Sequence, residues 1–365
     1  MAGLAAALAA RGVETTYVAE RTLTPDRAEL GWEVPSLGGA KLLFAPDEQA
    51  VQSAVAKATP DSLHLCQGLR ANGMVGKAQR HLAERALRQW VIMESVDDHG
   101  WKGWLRRGLY RAHIRLARRR INAFLATGHG TTDWLIARGA PEGTVFPFTY
   151  FLSSQSQASI PTHDRNERFR IVFVGQFIQR KRLDLLIEAM KQIDCGRLEL
   201  LVVGSGPLEQ ELRILAEDAL GDRVMWLGRQ PISAVADIMS SADCLVLPSD
   251  HDGWGAVASE AMIVGTRVIC SDACGCREFV RLGGGDVFVR GSVSDLKSKL
   301  IATQSRGKQT IESREQLRSW AVSLQAEAGA SYLVDVVSYV EGNANKRPIA
   351  PWTVNTINGD ANNEA

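Results

Sequence analysis

The stretch Pro248 to Met262, PSDHDGWGAVASEAM, holds the densest chemistry in this sequence. Two carboxylates, Asp252 and Glu260, stand eight positions apart across a loop containing Gly253 and Gly255. Ahead of them, Cys244-Leu245-Val246-Leu247 is a short apolar run that reads as a buried strand. Pro248, Ser249, Asp250, Gly253 and Gly255 read as a turn. From about Gly255 the apolar residues Ala256, Val257, Ala261 and Met262 take helical spacing. A helix start offers backbone N–H groups and the positive end of the helix dipole to an anion, and glycines at 253 and 255 let a phosphate come close to the main chain. Glu260 can accept from two adjacent hydroxyls, as a ribose presents, and Asp252 from a sugar hydroxyl. Such a set suits a nucleoside diphosphate sugar. An ordinary turn before a buried helix is the plainer reading of the same residues.

With Pro248-Ser249 before it and Glu260-Ala261-Met262 at its end, this stretch resembles the E-x7-E signature of retaining glycosyltransferases of the family 4 type, here with Asp252 as the first acid. The resemblance implies an α/β chain with the GT-B fold: two Rossmann-like domains with parallel sheets facing a deep cleft. It implies a nucleotide sugar donor, a glycan or lipid-linked glycan acceptor, and no metal or other cofactor. It places Asp252 on the sugar and Glu260 on the ribose, with Gly253, Trp254, Gly255, Ala256 and Val257 around the donor.

Other segments carry the same resemblance. Val174-Gly175-Gln176, four residues, then Lys181 is similar to the V-G-R-x4-K-G segment whose cations bind the donor diphosphate. Lys181 matches the lysine, while Gln176 removes the arginine, and Arg180 or Arg182 is a candidate to compensate. Independently, basic residues at a helix start are disfavoured unless an anion is present. Val203-Gly204-Ser205-Gly206-Pro207 resembles V-G-x-G-P, so Gly175, Gly204 and Gly206 are expected near the donor. Arg229 and Gln230 are candidate base contacts, and Gly275 and Glu278 sit where relatives have a turn and an acid near the sugar. Glu94, at the end of Val91-Ile92-Met93, matches a position that touches the transferred sugar, with His99 as substitute; a solvated loop is the alternative reading. Asp252, Glu94 and Lys181 are thus the catalytic candidates.

Alternating strands and helices must position these groups. Strands are expected at Glu14–Val18, Lys41–Phe44, Leu63–Leu65, Trp90–Met93, Ala123–Thr127 and Val145–Phe146, and in the second half at Arg170–Val174, Leu198–Val203, Val224–Leu227, Thr266–Cys270 and Asp286–Val289. That alternation implies parallel sheets with ligands at the strands' carboxyl ends. The expected plan is a first domain over 1–152, a polar linker over 153–167, a nucleotide-sugar domain over 168–310, one long helical segment over 311–341 returning to the first domain, and a disordered tail over 342–365. The chain begins on a helix, where relatives have a strand and a glycine loop. A catalytically impaired nucleotide- or glycan-binding protein is therefore the second hypothesis.

At 365 residues and net charge +1, the composition is that of a globular chain and argues against bulk nucleic-acid binding. No apolar run reaches membrane-span length and no signal peptide is read, which points to a cytoplasmic protein. Cys270, Cys274 and Cys276 form a C-x3-C-x-C cluster, but with no histidine or second pair nearby zinc is not expected. No G-x-G-x-x-G fingerprint supports a dinucleotide enzyme. His64 reads as a core histidine and His129 as a loop residue. The stretch 101–120, WKGWLRRGLYRAHIRLARRR, has eight Lys or Arg and no acid. Leu105, Leu109, Ala112 and Leu116 share one helical face, which suits either a core stripe under a solvated surface or an anionic membrane.

Overall fold

The structure, a computed structural model, describes residues 1–22, 34, 36–69, 73–96, 100–153, 168–193, 197–354 and 357, without the side chains of 100–102. The expected linker beyond Ser153, His99 with Asp97 and Asp98, Cys195, and the last eight residues lie outside this set. The described residues of Met1–Thr24, Val34–Ser153 and Gln325–Pro351 form one unit; those of Ser154–Leu324 and Trp352–Ala365 form a second.

Unit 1 starts with the alanine-rich helix α1 (Ala2–Ala10), which buries Leu4 and Leu8. Strands β1 (Thr16–Ala19) and β2 (Lys41–Phe44) pair in parallel as a two-stranded sheet. After α2 (Glu48–Ala56), capped by Asp47, comes a parallel sheet of β3 (Leu63–Gln67), β4 (Arg88–Glu94), β5 (Ile121–Thr127) and β6 (Val145–Phe148) in that order. Helices α3 (Met74–Glu84), α4 (Gly100–Ala117) and α5 (Thr131–Ile136) make the crossovers. β4 is buried continuously from Gln89 to Met93, as a strand covered on both faces must be. His64 is a satisfied residue: its ring Nδ1 lies 3.0 Å from the Arg88 carbonyl.

Unit 2 is a six-stranded parallel sheet in the order β12-β11-β10-β7-β8-β9. Its strands are β7 (Phe169–Val174), β8 (Leu198–Val203), β9 (Val224–Gly228), β10 (Cys244–Leu247), β11 (Arg267–Ser271) and β12 (Asp286–Phe288). They alternate with α6 (Leu183–Lys191), α7 (Glu209–Leu220), α8 (Ile232–Ser241), α9 (Ala256–Ile263), α10 (Arg277–Leu282) and α11 (Val293–Ser305). The core interleaves Ile171, Phe173, Leu200, Val202, Val246 and Ile269 of the strands with Leu186, Ile187 and Met190 of α6. The order reverses between β7 and β10, so the loops leaving these neighbouring strands diverge and open a crevice at their carboxyl ends.

Two expectations are corrected and one open alternative is decided. The segment 311–340 is two helices, α12 (Ile311–Ala321) and α13 (Ala326–Val340), not one. Ala326 N–H bonds to the Leu152 carbonyl at 2.8 Å where the chain passes from unit 2 to unit 1, so tertiary contact breaks a helix that contains no proline. α12 stays in unit 2 through Arg314, which is buried and donates to the carbonyls of Ser240 (3.0 Å) and Ala242 (2.7 Å). Second, the described residues 342–354 are packed rather than disordered: Arg347 lies over the Phe146 ring at 4.7 Å and Trp352 is buried. Third, on α4 the buried face is Gly103, Tyr110, Ile114 and Ala117, while Leu105, Leu109 and Leu116 are exposed. Of the two readings left open for that stripe, burial excludes the core stripe.

Candidate active site

The loops leaving β7 and β10 bring Lys181 and Asp252 together across 71 positions of sequence. Lys181 closes a short 3-10 turn, Gln179–Lys181, and its Nζ donates to Asp252 Oδ2 at 2.5 Å, both side chains being mostly buried. The Asp252 loop is held from three directions. Asp250 N–H donates to the Arg180 carbonyl at 2.9 Å, and Arg180 Nη1 donates to the His251 carbonyl at 2.6 Å. Gly275 N–H donates to the Asp252 carbonyl at 2.8 Å, tying the loop to the turn after β11. Arg290 Nη1 reaches the Asp250 carbonyl at 3.4 Å.

Arg182 does not supply a spare cation. Its Nη1 bonds Asp250 Oδ1 at 3.1 Å, and its Nε and Nη2 engage Asp184. Its φ of 52° is the left-handed region that non-glycine side chains rarely adopt, so these ion pairs hold a strained turn. Gln176 is exposed, and Arg229 donates to Ser205 Oγ at 2.5 Å, joining the ends of β8 and β9.

Glu260 lies in the second turn of α9. Among the described residues no side chain hydrogen-bonds or pairs with its carboxyl. Burial raises its pKa above the ordinary carboxylate range, because the charged form has lost water and gained no partner. A group left in that condition is unstable by itself and suits a ligand that brings hydroxyl donors.

Two donor-loop expectations change. Gly255, with φ 83°, is the left-handed residue that starts α9, and a Cβ there would lie 2.9 Å from Leu247 Cδ2 and 3.0 Å from Cys276 Sγ. Protein, rather than open space for a phosphate, fills that side. Trp254 is a core residue, 4.8 Å centroid to centroid from Phe279, so its ring does not line an open surface. Of its neighbours, Ala256 is exposed while Gly253 and Val257 are part-buried. Gly204 and Gly206 are likewise required by packing: a Cβ on Gly204 would meet the Gly175 carbonyl oxygen at 1.9 Å, and one on Gly206 would meet the Phe177 backbone at 2.6 Å. These glycines let the β7 and β8 loops touch main chain to main chain.

Cys270 of β11 and Cys274 and Cys276 of the turn after it are buried thiols, with Cys276 hydrogen-bonded to Cys270 and Cys274. Burial and the hydrogen bond with Cys270 raise the pKa of Cys276, and the hydrogen bond with Cys276 together with burial raises that of Cys274. Protonated thiols of this kind pack as small apolar groups.

Unit 1 collects a second polar group at the carboxyl edge of its sheet. Glu94 ends β4 opposite Thr127 of β5, and Thr127 pairs with Phe148 of β6. Tyr150, two residues past β6, hydrogen-bonds Glu94 and Gln67 of β3. Burial first and the Glu94 charge second hold the Tyr150 phenol above its ordinary range. Sequence reasoning found Glu94 but missed Tyr150, whose only signal was its place just beyond a predicted strand. It also missed Arg290, for which the sequence offers no signal.

Residues 156–320 match the family model described as Glycosyl transferases group 1. This segment is similar to the group 1 glycosyltransferases. The chain is 33% identical over 132 residues to D-inositol 3-phosphate glycosyltransferase of Nocardia farcinica, covering 33% of this chain and 29% of that protein. It is 36% identical over 136 residues to the GDP-mannose-dependent monoacylated alpha-(1-6)-phosphatidylinositol monomannoside mannosyltransferase of Corynebacterium glutamicum, covering 35% of each. The matched stretch spans about a third of the length of these relatives. Solved structures extend the likeness of fold beyond this segment. Anabaena HepE in complex with UDP and glucose superposes with a TM-score of 0.67 at 15% identity, covering 93% of this chain and 95% of that one. Sucrose-phosphate synthase of Thermosynechococcus elongatus gives 0.65 at 20% identity, covering 93% and 92%. The architecture is that of GT-B glycosyltransferases, two Rossmann-like α/β units with parallel sheets.

Proposed function

We propose that this protein is a retaining glycosyltransferase that moves a hexose-type sugar from a nucleotide diphosphate sugar to a hydroxyl of a glycan or lipid-linked glycan, in surface polysaccharide biosynthesis at the cytoplasmic side of the membrane. The observation that carries the reading is the Lys181–Asp252 pair at the strand-order reversal, with Glu260, which has no side-chain partner among the described residues, on the helix that follows. With no donor bound, Lys181 and Asp252 neutralise each other. A donor diphosphate competes for Lys181, and Asp252 is released to accept from a sugar hydroxyl. Glu260 takes the two ribose hydroxyls. Lys181 and the N-terminal end of α9 stabilise charge growing on the leaving diphosphate, so the reading assigns the step no metal. Retention follows when the acceptor attacks the face the diphosphate leaves, with a leaving phosphate oxygen taking the acceptor proton. Glu94, oriented by Tyr150, offers a hydroxyl contact in unit 1. Relatives named for amylovoran and lipopolysaccharide core biosynthesis support the polysaccharide setting.

The test is incubation of the full chain with radiolabelled UDP- and GDP-sugars and a membrane-glycan extract. Transfer or donor hydrolysis is expected, and Lys181→Ala should lower the rate on the order of a hundredfold or more, the loss typical of one charge-stabilising group. An undiminished rate in that variant would remove Lys181 from the mechanism.

A further inference from the structure

Helix α4 carries apolar side chains on two sides. Ile114, Tyr110 and Ala117 pack into unit 1. Leu105, Leu109, Ala112 and Leu116 lie within an arc of about 60°, roughly 140° round the helix from that buried face. This second stripe is exposed, Leu105 to 56% and Leu116 to 75%, and Trp104 beside it to 68%. Between the two faces runs a row of Arg111, Arg115 and Arg118, and exposed Arg119 and Arg120 follow the helix end. Arg111 anchors on the Ala137 carbonyl and the Arg115 stem passes over Gly139, so the row is fixed relative to unit 1. The side chains of Arg118, Arg119 and Arg120 have no partner among the described residues. Three large aliphatic groups and an indole left in water beside a band of cations need an occupant that is apolar within and anionic at its rim.

We propose that α4 is a docking surface for an anionic lipid bilayer, lying in the headgroup plane with Leu105, Leu109 and Leu116 in the acyl boundary. The arginine row then reaches lipid phosphates while its stems follow the stripe inward. No described helix is long and apolar enough to cross a membrane, so the contact is peripheral. A second copy of the chain is the poorer fit. In a two-fold dimer the same patch meets itself, which sets arginine against arginine, and residues 101–120 contain no acid to relieve it. Nucleic acid would use the cations and leave the leucines in water. The inference does not rest on the proposed transfer reaction, because binding needs neither donor nor turnover.

The test is co-sedimentation of the full chain with phosphatidylcholine vesicles and with mixed phosphatidylglycerol–phosphatidylcholine vesicles. Binding is expected to the mixed vesicles only, with release by high salt. Leu105→Asp with Leu116→Asp should abolish it at unchanged circular dichroism. Neutralising Arg118, Arg119 and Arg120 to Gln should weaken it on the order of a hundredfold, at about fivefold per surface cation. Three results would each overturn the proposal: protein left in the supernatant with mixed vesicles, undiminished binding by the double aspartate variant, or a dimer in sedimentation velocity that those aspartates dissolve.

Discussion

Glu260 is a carboxylate held at a cost. Its pKa is raised in the folded chain, so the folded state binds the proton more tightly than the unfolded one. This stabilising preference is complete below the unfolded pKa and is lost as pH rises through the folded value. The penalty grows as pH rises above the unfolded value. Glu260→Gln should therefore raise the melting temperature of the ligand-free protein at pH 7 and leave it unchanged near pH 4, while abolishing UDP binding by calorimetry. A lower melting point at pH 7 would show that Glu260 has a stabilising partner. Arg182 separates strain from charge at the same site. Its left-handed backbone costs about 1–2 kcal/mol, and its part-exposed ion pairs with Asp184 and Asp250 return about 0.5 kcal/mol each. Arg182→Gly removes both, so stability by urea titration should change by less than about 1 kcal/mol. Arg182→Ala keeps the strain and loses the pairs, and should cost about 1 kcal/mol. If the two variants were equally stable, the turn would hold no strain.

At the scale of elements, the returning helix α13 shows how packing outweighs propensity. Gly329 in its first turns lies flat against the Phe151 ring, where a Cβ would approach ring carbons to 2.3 Å. Tyr332 OH donates to the Pro147 carbonyl at 3.0 Å, and Phe148 meets Phe151 edge-on at 5.2 Å. Alanine in place of a helical glycine gains about 1 kcal/mol of propensity, but overpacking a fixed ring costs about 1–3 kcal/mol. Gly329→Ala should thus destabilise unit 1 by about 1 kcal/mol in thermal melts, and adding Phe151→Leu should recover part of that loss. A stabilised single variant would mean that the helix can shift away without penalty.

Across the whole molecule, the two units have separate cores, and heating need not melt them together. The proposed donor groups Lys181, Asp252 and Glu260 all belong to unit 2. Free UDP at a hundred times its dissociation constant should stabilise that unit by about 2.7 kcal/mol. In a calorimetric scan one transition should then move up while the other stays. If UDP moved only the transition that Gly329→Ala also moves, the nucleotide would bind unit 1. Net charge says nothing about these local sites: a chain at +1 carries an acid-free arginine helix in one unit and a self-neutralised Lys–Asp pair in the other.

The order of strands and helices was legible in the sequence because a parallel sheet buried on both faces leaves uninterrupted apolar runs, such as those of β7, β8 and β10. Asp252 and Glu260 were singled out by their resemblance to a two-acid signature, and Lys181 because a cation at a helix start conflicts with the helix dipole unless an anion is present. Everything that depended on which atoms meet across the chain was not. The pairing of Lys181 with Asp252, the grip of Tyr150 on Glu94 and the strap made by Arg182 join residues that are distant in sequence or were expected to act alone. Gly255 read as an opening for a phosphate and Gly204 and Gly206 as neighbours of the donor, yet packing against Cys276, Gly175 and Phe177 constrains all three. Helical spacing showed that α4 has a leucine stripe, but it could not say which of two apolar faces unit 1 would cover, because periodicity gives the angle between side chains and only the tertiary contacts supply the direction of the core.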